Sequence, residues 1–505
     1  MKKKILYVIT IMAIFLTSVL PVSAATEITV DDGRAGTTDP NSRYITNQAT
    51  LTIEQVVAND VLTAYKILDA YYNSSTNVIT YEFTDAFKAF QASTSNNTYK
   101  NMTLAQYYEL TSGNITDGST QSQSTLDQLA SAYAGYVRQN SGTVTGTDLV
   151  TSGTNATATL DAGSYLVLPK TTNKVYAVMV GNLDFSASGT SWQLNNATIV
   201  AKASDAGLTK TVETGHYNDN TASATVGEEF TYTVTATVPR YPTNATNKTY
   251  IITDRFSTGL TFSGINSIQM KDGDVTLTTR DNAIYDAEDN QVATLQFQAN
   301  TLTININVDY VDSTTLTVTY KASINENAVC GDPNSNTATL TYANDPYGEG
   351  TYTTPEDDGK VDVYTYGIEV FKYINGEMSS PLEGATFDVY SDADLDNKVG
   401  TITTGADGYG RLEGVAAGTY YLKETSAPPG YSLLNDAVEV DVFVTGSTAG
   451  TAAGHYRANV PNTKTGVLPF TGGTGTIVFT VAGLAVIGGA FYFVYRRKNK
   501  MTPAK

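Results

Sequence analysis

Cysteine is almost absent. Cys330 stands alone in a chain of 505 residues, so no internal disulfide can form and covalent reinforcement must come from other side chains. Histidine is nearly as scarce, with only His216 and His455, far apart in sequence. No Cys/His metal cluster is therefore expected, and a Ser-His-Asp or Cys-His nucleophile would have to recruit one of these two. Both read as loop or strand-edge residues: His216 lies in Thr214-Gly215-His216-Tyr217-Asn218, and His455 follows a Gly/Ala/Thr run. Neither a turnover enzyme nor a cofactor is expected. Positive charge is also short, 31 Lys and Arg against 50 Asp and Glu, for a formal net charge of -19 at pH 7. That balance argues against nucleic-acid binding, which needs a basic face. One metal-like pattern fails on inspection: Asp392-Ala393-Asp394-Leu395-Asp396 opens like a calcium loop, but Asn397 replaces the turn glycine and Thr403 stands where the closing glutamate belongs. A solvated hairpin is expected there.

Long hydrophobic runs occur only at the ends. Lys2-Lys3-Lys4 precedes an apolar stretch from Ile5 to Leu20, and Val22-Ser23-Ala24 offers small residues where a signal peptidase reads. Residues 1–25 are read as a cleaved leader, with cleavage after Ala24 favoured over Ala25. The second run extends from Thr476 to Tyr495 and is followed by Arg496-Arg497-Lys498-Asn499-Lys500. At about 1.5 Å per helical residue it just spans a bilayer's hydrocarbon core, leaving the basic cluster on the cytoplasmic side.

Between the ends, apolar residues alternate with Thr and Asn. Thr231-Tyr232-Thr233-Val234-Thr235-Ala236-Thr237-Val238 and Leu302-Thr303-Ile304-Asn305-Ile306-Asn307-Val308 are half-buried strand patterns. Helical periodicity is confined to the N-terminal third, at Ala86–Phe90 and Thr125–Tyr133. The fold class expected is mainly β: tandem immunoglobulin-like sandwiches, the first with helical insertions, plus a C-terminal transmembrane helix. Polar breaks at Ser204-Asp205-Ala206-Gly207 and around Pro355-Glu356-Asp357-Asp358-Gly359 divide the exported part into segments 26–203, 204–362 and 363–466, with 467–505 as tail.

The tail's order is specific. Leu468-Pro469-Phe470-Thr471-Gly472, the apolar run and the basic end together resemble an LPxTG cell-wall sorting signal, which a sortase cleaves between Thr471 and Gly472. The third segment contains Tyr420-Tyr421-Leu422-Lys423-Glu424-Thr425-Ser426-Ala427-Pro428-Pro429-Gly430-Tyr431, which closely resembles the YxLxETxAPxGY box of collagen-adhesin B-type (Cna-B) domains. In that family a first-strand lysine, a central glutamate and a last-strand asparagine form an intramolecular isopeptide bond. The resemblance implies Lys372, Glu424 and an asparagine of Tyr456-Arg457-Ala458-Asn459-Val460-Pro461-Asn462. Asn462 shares its strand face with Val460, Ala458 and Tyr456, so alternation favours it over Asn459. The middle segment resembles the Cna-A-like domain of sortase-assembled pilins, where an aspartate replaces the glutamate. Lys210, Asp254 and Asn336 are the implied set, Asn336 being in phase with Ala338, Leu340 and Tyr342.

Physical chemistry makes sense of these residue types. An amine attacks only when neutral, and burial lowers its pKa. A buried carboxyl stays protonated and can polarise the asparagine carbonyl; ammonia leaves and an amide replaces a buried charge. A pull between the ends would then pass through the cross-link and spare most of each sandwich.

The whole plan resembles a sortase-assembled major (backbone) pilin. In such pilins a lysine on the last strand of the N-terminal domain receives the sortase-held threonine of another copy. The matching stretch is Trp192-Gln193-Leu194-Asn195-Asn196-Ala197-Thr198-Ile199-Val200-Ala201-Lys202, although it lacks the usual Tyr-Pro before the lysine. Lys202 is favoured over Lys170 of Tyr165-Leu166-Val167-Leu168-Pro169-Lys170, because the latter leaves a strand and the lone tryptophan unexplained. The implied partners are pilus-specific and housekeeping sortases, other copies of the chain, peptidoglycan, minor tip or base pilins and host surface ligands. The rival expectation is a monomeric wall-anchored adhesin binding a host matrix protein or glycan.

Overall fold

The computed structural model describes residues 26–93, 98–111, 120–218, 221–242, 245–442, 454–465 and 475–498. The leader and the Leu468–Gly472 motif lie outside the described residues. The chain divides into two compact units, one of residues 1–215, 227–328 and 333–363, the other of 216–226, 329–332 and 364–505.

In the first unit, strand Val61–Asn73 is the spine of a seven-stranded sheet, flanked by Gly163–Thr171 and Arg43–Ile45. It does not alternate like a half-exposed strand, because both of its faces are covered. Leu62 and Ala64 pack with Leu51 and Ile53 of the four-stranded sheet that contains Gln48–Glu54. Tyr65 and Ile67 face the other way, into a layer built from Phe87, Phe90, Tyr133, Ala134 and Val137. Those residues come from helices Asp85–Ala92 and Thr120–Gln139, both anticipated from the sequence; helix Leu104–Thr111 was not. Thr84 caps the first helix by accepting from the Phe87 amide at 3.2 Å.

The rest of this unit is a sandwich. One sheet runs Gly207–Glu213, Glu229–Thr237, Thr315–Ile324, Gln269–Asp272; the other includes Lys360–Tyr364, Asn334–Ala343, Tyr250–Phe256, Thr301–Ile306 and Gln291–Gln298 in that order. Strand Glu229–Thr237 buries every second residue, as its Thr alternation dictates. The sandwich and the N-terminal segment pack as one body. Tyr347 inserts into the aromatic layer with its hydroxyl 2.8 Å from Ser131 Oγ, Arg138 pairs with Asp345 at 2.6 Å, and Asn344 donates to the Thr172 carbonyl at 2.6 Å.

In the second unit, strand Tyr366–Ile374 lies between Tyr409–Val415 and His455–Asn462. Facing it is the sheet Lys398–Thr403, Thr386–Tyr390, Gly418–Ser426, Val438–Val442, and Ile368, Val370, Phe387, Leu422 and Val460 fill the space between. The C-terminal run forms helix Gly475–Lys498, bracketing the stretch read from the sequence. Among the described residues no helix is long and apolar enough to cross a membrane; side chains 475–479 lie outside that description.

Tyr347→Ala should lower the unfolding free energy by about 3–5 kcal/mol, the usual loss for a buried aromatic. Tyr310→Ala, at a side chain 43% exposed, should change it little; urea unfolding monitored by tyrosine fluorescence distinguishes the two.

Candidate functional site

Strand register brings two of the middle trio together, and the facing sheet supplies the third. Asp254 and Asn336 sit on adjacent antiparallel strands, Asp254 opposite Ala338 and Phe256 opposite Asn336, so both carry side chains to the same inner face. Lys210 reaches them from the facing sheet. Its Nζ lies 2.6 Å from both Asp254 oxygens and 2.6 Å from Asn336 Oδ1. All three are buried. Tyr232 and Tyr320 wall the amine, their ring centres 4.8 and 5.4 Å away. Burial pushes the Lys210 amine down to about 8, against the pull of Asp254 in the other direction.

Tyr320 is a member of this site that pattern reading overlooked. Burial holds its phenol well above the usual range, so it remains a donor, to Asp254, while accepting from Asn336 Nδ2 at 3.1 Å. The signal was available: Tyr320 is in phase with Val318 and Ala322 on the strand Thr315–Ile324.

The second trio uses a different geometry. Lys372 pairs with Val460 across parallel strands, so Asn462 is its same-face neighbour one step along. Glu424 comes from the facing sheet; its Oε1 is 2.9 Å from Lys372 Nζ and accepts from Asn462 Nδ2 at 3.3 Å. The other carboxylate oxygen accepts from the Leu434 amide at 2.8 Å. Lys372, Glu424 and Asn462 are at most 1% exposed, whereas Asn459 faces outward. Burial again pushes the lysine down, partly opposed by Glu424, and the Phe387 ring lies 5.2 Å from the amine.

Each trio can carry out one reaction. Passing a proton from Nζ to the carboxylate neutralises both groups without moving net charge, which a dry site favours. The amine is then a nucleophile beside a carboxamide. In the second trio Asn462 turns its nitrogen to Glu424 and its oxygen to the Thr463 amide at 3.1 Å, so the side-chain amide must turn over before the new carboxylic acid can polarise its oxygen. In the middle site Asn336 presents its oxygen to the amine and its nitrogen to Tyr320, so the atom that would leave already has a partner.

The two linking candidates differ in setting. Lys202 follows strand Ala197–Val200, is half-buried, and has its carbonyl fixed by the Ala177 amide at 2.9 Å. The Lys170 amine is paired with Asp148 at 2.6 Å. The Asp392 turn is self-contained, its carboxylate accepting from the Asp396 and Asn397 amides at 3.0 and 2.7 Å. One expectation needs correction: Cys330 and His455 do meet. Folding brings the Cys330 thiol, a His455 ring nitrogen and the Glu413 carboxylate within 4.8 Å of one another. Sequence separation hid this, because strand pairing and not chain proximity sets the contact.

Comparison with known proteins gives a consistent picture. Residues 226–346 match a family model described as Gram-positive pilin backbone subunit 2, Cna-B-like domain; 369–454 match a prealbumin-like fold domain; 460–500 match the LPXTG cell wall anchor motif. The middle stretch, read from sequence as Cna-A-like, thus falls under a model named Cna-B-like. The trypsin-resistant surface T6 protein of Streptococcus pyogenes is 28% identical over 390 residues, 60% of this chain and 71% of its own. The fimbrial subunit type 1 of Actinomyces viscosus is 26% identical over 332 residues, 54% of this chain and 62% of its own. Among solved structures, the T6 backbone pilin superposes with a TM-score of 0.64 at 21% identity, covering 83% of this chain and 99% of that one. The major pilin SpaD of Corynebacterium diphtheriae gives 0.50 at 17%, covering 83% and 98%. At these identities the superpositions speak for the fold.

Intact-mass measurement of the folded chain should show a deficit of two ammonia molecules. Lys210→Ala should restore one and Glu424→Ala the other, and losing either cross-link should destabilise by about 4–5 kcal/mol on the loop-closure scale used for disulfides. A second expectation concerns pH. In Asn336→Ala the Lys210 amine stays free, with a folded pKa near 8 against an ordinary 10.5, so the unfolded chain holds the extra proton between those values. The stability of this variant relative to wild type, where that nitrogen is an amide, should therefore rise with pH through that window and stay flat below it. Urea midpoints measured across the range test this.

Proposed function

We propose that this chain, a Gram-positive backbone pilin with an LPXTG wall-anchor motif, serves as the repeating subunit of a covalent surface fibre whose joints and interiors are both amide bonds. In this reading the pilus-specific sortase cleaves after Thr471 and passes the acyl group to Lys202 of another copy. The last subunit is passed by the housekeeping sortase to peptidoglycan. Three modules, 26–203, 204–362 and 363–466, form the exported subunit. Minor tip or base pilins and host ligands are further partners; the net charge of -19 argues against nucleic acid as one.

The observation that carries this reading is the pair of buried Lys–carboxylate–Asn clusters, Lys210–Asp254–Asn336 and Lys372–Glu424–Asn462. A soluble binding domain gains little from burying a lysine in each of two sandwiches, since every unpaired desolvated charge is costly. A subunit that must transmit tension without disulfides gains an irreducible staple. Asp254 and Glu424 promote a single event on their own chain, so the protein is a substrate of its own chemistry and not a turnover enzyme. Lys202 is preferred as the acceptor because it follows Ala197–Val200 and the lone tryptophan, at the end of the N-terminal segment, whereas Lys170 leaves both unexplained.

Wall extracts boiled in detergent should display a ladder of high-mass species. Lys202→Ala should collapse it to single copies while Lys170→Ala leaves it intact. A wild-type extract containing only single copies would instead favour the monomeric adhesin.

A further inference from the structure

We propose that Cys330, Glu413 and His455 form a site for a divalent metal ion of borderline softness, with Zn2+ as the fitting occupant. The chain has one cysteine and two histidines, and folding brings that cysteine and one of those histidines to the same point beside a carboxylate. All three residues belong to the second compact unit.

The convergence follows from register. Gly367 is paired with Glu413 on one side and with His455 on the other, so the two ligands flank one backbone position in three adjacent strands. Gly367 leaves the space the imidazole occupies: a Cβ there would stand 2.3 Å from a carbon of the His455 ring. The third ligand is held just as closely. Gly454, at φ +71°, lies where a Cβ would come within 2.4 Å of the Cys330 carbonyl, and the Gly331 amide donates to the Thr365 carbonyl at 2.8 Å. Backbone contacts therefore fix all three segments, and only side-chain rotation is needed to close on an ion.

The distances suit that closure. His455 Nε2 is 3.3 Å from Glu413 Oε1, and Cys330 Sγ is 4.0 Å from Glu413 Oε2. Tetrahedral ligands at zinc's bond lengths stand ~3.3–3.8 Å apart. Cys330 is 4% exposed and the His455 side chain 8%, while the Glu413 side chain is 63% exposed. The soft ligands are thus covered and the carboxylate opens to solvent, giving an entry route and a fourth position for water. Thiolate with imidazole selects zinc-like ions over calcium or magnesium, which require oxygen ligands. On binding, the thiol proton leaves to solvent as the metal–sulfur bond forms, with no change of oxidation state.

The test uses the full-length chain, purified in detergent and stripped of metal, with Co2+ as a spectroscopic probe and Zn2+ as competitor. A single equivalent of Co2+ should give a sulfur-to-cobalt charge-transfer band in the near ultraviolet that Zn2+ removes. Cys330→Ser should abolish the band. Glu413→Gln, at an exposed side chain, should weaken Co2+ binding by more than ~10-fold while leaving the circular dichroism of the chain unchanged. No charge-transfer band with folded wild-type chain, or a band that survives Cys330→Ser, overturns the proposal.

Discussion

The architecture depends on two lysine amines being kept out of water. Lys210 and Lys372 each lie in an apolar sandwich interior walled by aromatic rings, and each has a carboxylate and a carboxamide for company. An isolated ammonium there would be untenable, and a simple ion pair would barely repay its desolvation. The carboxamide changes the balance by offering a neutral end state. Everything that surrounds the trios keeps them dry and in register.

The two sandwiches reach that end by different routes. In the middle one the lysine comes from the sheet opposite the asparagine, so an amide would tie sheet to sheet. In the C-terminal one the lysine and asparagine strands are parallel neighbours, and only the glutamate crosses the core. The N-terminal segment handles its half-buried lysine otherwise. Lys66 donates to the Tyr44 hydroxyl at 2.8 Å and lies 3.3 Å from Asp69, which is in turn paired with Arg34. Cation and anion balance there within a network of phenols and charges. Rigidity in that segment comes instead from its aromatic layer, into which Tyr347 is inserted.

Much of this was legible in the sequence because strands encode facing by parity. Phase alone put Asn336 and Asn462 inside and Asn459 outside, and the structure places them so. The box around Glu424 located the carboxylate without any knowledge of the sheet it would cross. Parity fails where both faces are covered: Val61–Asn73 carries no alternation because helices blanket its far side. Tyr320 went unnoticed since a tyrosine in a strand is ordinary until its hydroxyl is seen beside Asp254. The meeting of Cys330 with His455 could not be read at all, as it hangs on a glycine, Gly367, whose meaning is only the room it leaves.

The parallel pairing of Tyr366–Ile374 with His455–Asn462 also sets a clock. The lysine strand opens its sandwich and the asparagine strand closes it, just ahead of the anchor motif. A chain that emerges N-terminus first delivers Lys372 early and Asn462 late. Until that final strand docks, the amine has no carboxamide within reach, and the ladder along Tyr366–Ile374 lacks its neighbour. Closure of this sandwich thus waits on its last strand, and the trio is complete only once nearly the whole chain has been delivered.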